Sequence, residues 1–189
     1  MAAAQSGNAL AAQAEAAMKR RQGKWVAETS AGENAQRELP LFAKDYFALG
    51  RKAARKQVPT ERLHQFRLAT KHFRYLLELF RPAYGPRLDS YIDQLRKVQT
   101  LLGDLQDFAV TRDMVETGPE MGTADARRAI EFLTKREEKK RGEFREYWKS
   151  EMDAEGREAA WKNYLGKHAV KKAPGRLKKA EGQAAKVGS

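Results

Sequence analysis

The chain has 189 residues, enough for one domain around a single sizeable core, and is 41% hydrophobic and 33% charged. Its formal net charge is +12 with a pI near 9.9, which points to polyanionic partners: nucleic acid, polyphosphate or an anionic surface. The absence of cysteine excludes a disulfide framework and a cysteine-ligated zinc site, and no apolar run approaches the roughly 18 residues that cross a bilayer.

Residues 1–38 are rich in Ala, Gln, Glu and Gly. Helical propensity runs from about Asn8 to Arg21, but alanine buries little area, so this stretch is expected to be a loosely attached or disordered arm. It lacks the apolar core of a secretory signal, and the expected location is the cytoplasm. A first packed helix is expected from Leu39 or Pro40 to Lys56, with Pro40 at its first position. Leu41, Phe42, Tyr46, Phe47, Leu49 and Ala53 would form its apolar side, and Arg51, Lys52, Arg55 and Lys56 cluster near its end. Val58-Pro59 breaks the chain, and Thr60 is a plausible N-cap.

A second helix is predicted from Thr60 to Phe80, through LHQFRLATKHFRYLLELF. Its residues His64, Arg67, Lys71 and Arg74 are spaced three, four and three apart. At about 100° per residue they fall within an arc of roughly 80°. Leu63, Phe66, Phe73, Leu76, Leu77 and Phe80 fall on the adjoining, core-facing side. Cations one turn apart along one edge suit a linear polyanion better than a compact substrate. Two prolines and Gly85 then mark a turn.

The third helix is expected from Pro86 to Val115, with Leu88, Tyr91, Ile92, Leu95, Val98, Leu102, Leu105 and Ala109 at three-and-four spacing. Gly103 inside it costs about 1 kcal/mol relative to alanine, which suggests a close helix crossing. A charged helix from Ala124 to Met152 follows, with a solvated middle around Arg136 to Arg141, and then a short helix from Ala159 to Leu165. The expected fold is all-α: a bundle of about four packed helices over residues 39–166, followed by a disordered basic tail over residues 167–189.

The signature helix resembles the core motif of the CHAD family, the conserved-histidine α-helical domains. The family pattern is a His, an Arg three later, a basic residue four later and an Arg three later, with a Phe near the end. His64, Arg67, Lys71, Arg74 and Phe80 match it. Leu102, Gly103 and Asp107 match a second family element, a Leu-Gly run followed by a polar-Asp pair. The resemblance covers Leu39 to Val115 and implies a helical fold that binds inorganic polyphosphate through basic helix faces; it does not imply an enzyme activity. Relatives usually hold two copies of the motif, whereas this chain has one clear copy. The chain is therefore a single half of that arrangement, and two chains are expected to pair to complete a groove. No Glu-x-Glu-x-Lys strand of a triphosphate-tunnel partner domain is present.

The polyphosphate-binding set expected from these readings is His64, Arg67, Lys71 and Arg74, helped by Arg51, Lys52, Arg55 and Lys56. Asp107, with Gly103 and Arg96, is expected to be structural, orienting an Arg or His of the signature helix. Glu78 shares the basic arc and would pair with Arg74 or Arg81. Metal ligation is not expected: His72 lies about 80° around the helix from His64, and the Glu-x-x-His pairs of a bundle di-metal site are missing. No phosphate-cradling glycine loop, nucleophile elbow or His-Glu-x-x-His motif occurs, so neither cofactor nor catalysis is expected. The alternative is a nucleic-acid-binding or nucleoid-associated protein, which the charge permits, although the row carries no interleaved aromatics for base stacking. A third reading is a scaffold that docks partners or polyphosphate granules through Trp25, Trp148 or Trp161.

Overall fold

A computed structural model describes residues 26–119 and 121–169; Trp25, the Asn8–Arg21 stretch and the basic tail from 170 onward lie outside the described residues. The fold is all-α, with five packed helices among the described residues: α1 (Ala31–Ala53), α2 (Thr60–Tyr84), α3 (Asp89–Thr117), α4 (Ala124–Tyr147) and α5 (Arg157–Lys167). A short 3₁₀ turn, Pro86–Leu88, leads into α3, and a π turn, Trp148–Met152, follows α4.

The first helix starts earlier than the sequence suggested. Ser30 and Glu33 form a reciprocal capping box, which satisfies the opening N–H groups and nucleates the helix at Ala31. The boundary expected at residue 38 therefore falls inside α1, where Ala35 and Leu39 are buried. Pro40 lies within the helix rather than at its start. It has no N–H to give the Gln36 carbonyl, and Gly166 of α5 packs over that gap, with room for a Cβ only 3.5 Å from Pro40 Cγ. α1 stops at Ala53, three residues short of Lys56, and Leu41 on it is 38% exposed rather than core.

The apolar stripes of α2 and α3 meet as their periodicity required. Leu63, Phe66, Phe73, Leu77 and Phe80 are buried, and so are Leu88, Ile92, Leu95, Val98, Leu102 and Leu105. α2 and α3 run antiparallel: Arg74 meets Gln99, Glu78 meets Arg96, and Arg81 meets Asp89. α4 folds back along α3, joined by Lys140 to Asp104 at 2.9 Å. The π turn then carries the chain across to α5, which lies antiparallel on α1.

That return supplies the centre of the core. Trp148 and Trp161 are 2% and 1% exposed, so neither serves as an exposed docking residue. Trp148 packs edge-on against Phe66 at 5.3 Å and Tyr46 at 5.8 Å, and Trp161 meets Tyr91 at 4.8 Å. The benzo edge of the Trp148 indole packs against Gly50, where an added Cβ would fall 1.9 Å from the ring. Gly50 is thus the close approach of this fold.

Candidate polyanion-binding seam

The motif residues lie along the seam between α2 and α3. Their apolar neighbours fix α2 in rotation, so the cations must emerge at the edge of the buried stripe. His64, Arg67, Lys71 and Arg74 are all partly buried.

Arg67 lies across the seam against Gly103. A Cβ built at position 103 would stand 3.6 Å from Arg67 Nε and 3.8 Å from its terminal nitrogen. No backbone of another helix approaches Gly103 within 4 Å. The glycine thus marks the bed of a guanidinium and not the tight helix crossing expected of it. Arg67 Nε and His64 Nδ1 are both shielded from solvent with no hydrogen-bond partner. Buried polar atoms left unsatisfied are uncommon and costly; Arg67 Nε, which can only donate, is suited to gain from an added acceptor, and His64 Nδ1 gains in the same way when the ring is protonated.

Lys71 makes no ion pair among the described residues, and its Nζ stands 5.7 Å from the Tyr75 ring centroid. Tyr75 is 47% exposed, which places an accessible aromatic beside the row. The sequence reading had not credited the row with one. The Arg74 guanidinium lies over the same ring at 4.5 Å.

Arg74 is differently placed from its neighbours. Its side chain is 15% exposed, and it donates to Gln99 Oε1 at 3.0 Å and to Glu78 Oε1 at 2.6 Å. Glu78 also accepts from Arg96 at 3.1 Å, and Arg96 in turn reaches Asp93 at 2.9 Å. Glu78 therefore closes one end of the row, pairing with Arg74 and Arg96 rather than Arg81. Arg81 instead forms a two-pronged pair with Asp89, at 2.6 and 2.7 Å. That hydrogen bonding holds the Asp89 carboxyl below the usual carboxylate range, with the charges of Arg81 and Arg96 adding to it. The same contact raises Arg81. The stretch of row without acidic partners is thus His64, Arg67 and Lys71.

The helping cations separate from one another. Arg51 is bound to Asp153 at 3.0 Å and to Glu158, so it ties α1 to the π turn and α5. Lys52 is exposed and makes no ion pair among the described residues. Arg55 and Lys56 line a cavity beside the turn between α1 and α2. Asp107 is exposed and its carboxylate makes no ion pair, so it orients neither His64 nor Arg67 in this structure. Its backbone carbonyl accepts from Thr111. Arg96 acts on Glu78 and Asp93.

One polar cluster escaped the sequence reading. Glu137, placed in the stretch expected to be solvated, is 4% exposed. It accepts from Arg141 at 2.7 Å, one turn along α4, and forms an ion pair with Arg112 of α3 at 3.1 Å. Arg141 also donates to the Val58 carbonyl and to Thr60 Oγ1, both at 2.6 Å. Thr60 is therefore the first helical residue, with its hydroxyl turned across to α4, and Pro59 holds the cap position. The Glu-to-Arg spacing of four was the available signal, and it also describes an exposed salt-bridged helix.

Among the described residues no helix is long and apolar enough to cross a membrane, and no group of three or more His, Asp or Glu side chains is placed to hold a metal ion. A family model described as the CHAD domain matches residues 1–116. No curated protein and no solved structure matches the chain.

Proposed function

We propose that this chain, which belongs to the CHAD domain family, binds inorganic polyphosphate along the α2–α3 seam without catalysing its turnover. The family is associated with polyphosphate binding. The observation that carries the reading is the run of His64, Arg67 and Lys71 on successive turns with no acidic partner among the described residues, together with the shielded Arg67 Nε donor that lacks an acceptor. Arg67 offers a planar fork to a phosphoryl group, Lys71 a point charge, and His64 a second donor once protonated. Affinity arises from several such contacts with release of counterions, so it falls steeply with salt. Arg74 serves this edge by positioning Glu78 and Tyr75 rather than by touching the polymer. A cytoplasmic protein that attaches to polyphosphate granules, and that pairs with a second copy to lengthen the seam, accords with this reading.

Tyr75 favours one second reading. An exposed ring between two cations is a stacking surface for a base, which single-stranded nucleic acid would use. The test is a titration of long-chain polyphosphate, duplex DNA and single-stranded DNA at matched salt. Polyphosphate is expected to bind most tightly. Reversing charge in the double variant Arg67→Glu, Lys71→Glu is expected to weaken it by at least about a hundredfold, at about 1.5–3 kcal/mol for each charge-assisted contact. Circular dichroism checks that helicity is kept. Equal binding of polyphosphate and DNA, with loss of the DNA on Tyr75→Ala, overturns the proposal in favour of nucleic acid.

A further inference from the structure

The cavity at the turn between α1 and α2 is unlike the seam. It has a volume of about 470 Å³ and is walled by the end of α1, the start of α2, Arg112 of α3 and one face of α4. Small-ligand sites span roughly 300–1,000 Å³. Five cations line it (Arg55, Lys56, Arg112, Arg141 and Arg145), against the carboxylates Glu137 and Glu138. Glu137 is consumed by Arg112 and Arg141, which fixes both guanidinium groups from behind. Arg55, Lys56 and Arg145 make no ion pair among the described residues, so the positive excess is carried by unpaired side chains. Leu63 and Phe144, both buried, give it an apolar floor.

Two backbone features add to this. α2 begins at the cavity wall with no side-chain cap, so the positive end of a 25-residue helix meets the space. Gln57, between Lys56 and the wall, sits at φ 54°, a left-handed conformation that a non-glycine residue adopts at a cost. The turn thus holds a strained shape that delivers Arg55 and Lys56 to one rim.

We propose that this cavity is a second anion site, separate from the seam, that takes a compact condensed-phosphate group of two or three phosphoryl units. The seam is an open edge with cations one turn apart and suits an extended polymer. The cavity is a converging basin with unpaired cations on more than one wall, and it suits a short anion of high charge density. Free tripolyphosphate and the phosphate tail of a nucleotide present the same chemistry to it.

The test is calorimetric titration of the full chain with tripolyphosphate and, separately, with ATP. Wild-type protein is expected to bind tripolyphosphate. The variant Arg55→Glu, Arg145→Glu is expected to lose at least about tenfold in affinity, since charge-assisted contacts to phosphate are the strong ones. The seam variant Arg67→Glu, Lys71→Glu, whose altered residues do not line the cavity, is expected to stay within about twofold. ATP that binds as tightly as tripolyphosphate assigns the site to nucleotide tails; ATP weaker by about tenfold or more assigns it to free condensed phosphate, and both uphold it. Should the cavity variant misfold, amide shifts of the unaltered protein decide the matter: Gln57 and Thr60 move with tripolyphosphate while Gly103 does not. No binding of tripolyphosphate, or loss on the seam variant with none on the cavity variant, overturns the proposal. The seam itself is judged by long-chain polymer, so the two readings fail independently.

Discussion

At the scale of single residues, Gly103 shows how one missing side chain shapes a site. The position lies inside a helix, where alanine is preferred by about 1 kcal/mol, and its nearest foreign atoms belong to the Arg67 head. A Cβ there makes ordinary van der Waals contact at 3.6 Å, whereas a branched side chain overlaps the guanidinium. Gly103→Ala is therefore expected to raise stability by up to about 1 kcal/mol in denaturant melts and to leave polyphosphate affinity nearly unchanged. Gly103→Leu is expected to displace Arg67 and weaken polyphosphate about tenfold, consistent with loss of one charge-assisted contact. Equal affinity in wild type, alanine and leucine variants would separate Arg67 from the site. Gly50 is the opposite case. Nothing local in the sequence distinguishes it; its reason is Trp148, 98 positions further along the chain.

At the scale of elements, the joint between α2 and α3 is pinned by Arg81 and Asp89 across the Gly85 turn. A carboxyl held low contributes stability that is present above its unfolded pKa, about 4, and is lost as pH falls through the lower folded value. The difference in melting temperature between wild type and Asp89→Asn is expected to be small but measurable near pH 6, as for exposed pairs, and to vanish by about pH 2. A difference that persists unchanged at the acidic end would remove the pair from the account. Periodicity made the faces of α2 and α3 legible, since an apolar repeat of three and four has only one way to bury itself. Ends were less legible. Pro40 reads as a helix start, yet the Ser30–Glu33 box nucleates further back and α5 covers the gap that Pro40 leaves. The partners of Glu137 were illegible for a different reason. They come from three helices, and charge spacing within one helix carries no record of what faces it.

At the scale of the whole molecule, the matched family segment ends at residue 116, while the core does not. Phe144, Trp148, Met152, Trp161 and Leu165 belong to the same buried cluster as Phe47, Phe66 and Phe73. A chain cut after residue 116 is expected to keep much of its helicity but to lose its cooperative melt and to bind a hydrophobic dye, the behaviour of a collapsed chain without fixed packing. A sharp two-state melt of that fragment would show α1 to α3 to be self-sufficient. The position of the Trp148 indole on Gly50 also sets an order of events. A ribosome releases the α2–α3 seam well before it releases the ring that packs on Gly50. Until those later residues emerge, the aromatic side chains of α1 and α2 that Trp148 and Trp161 cover in the finished fold have no partner to bury them.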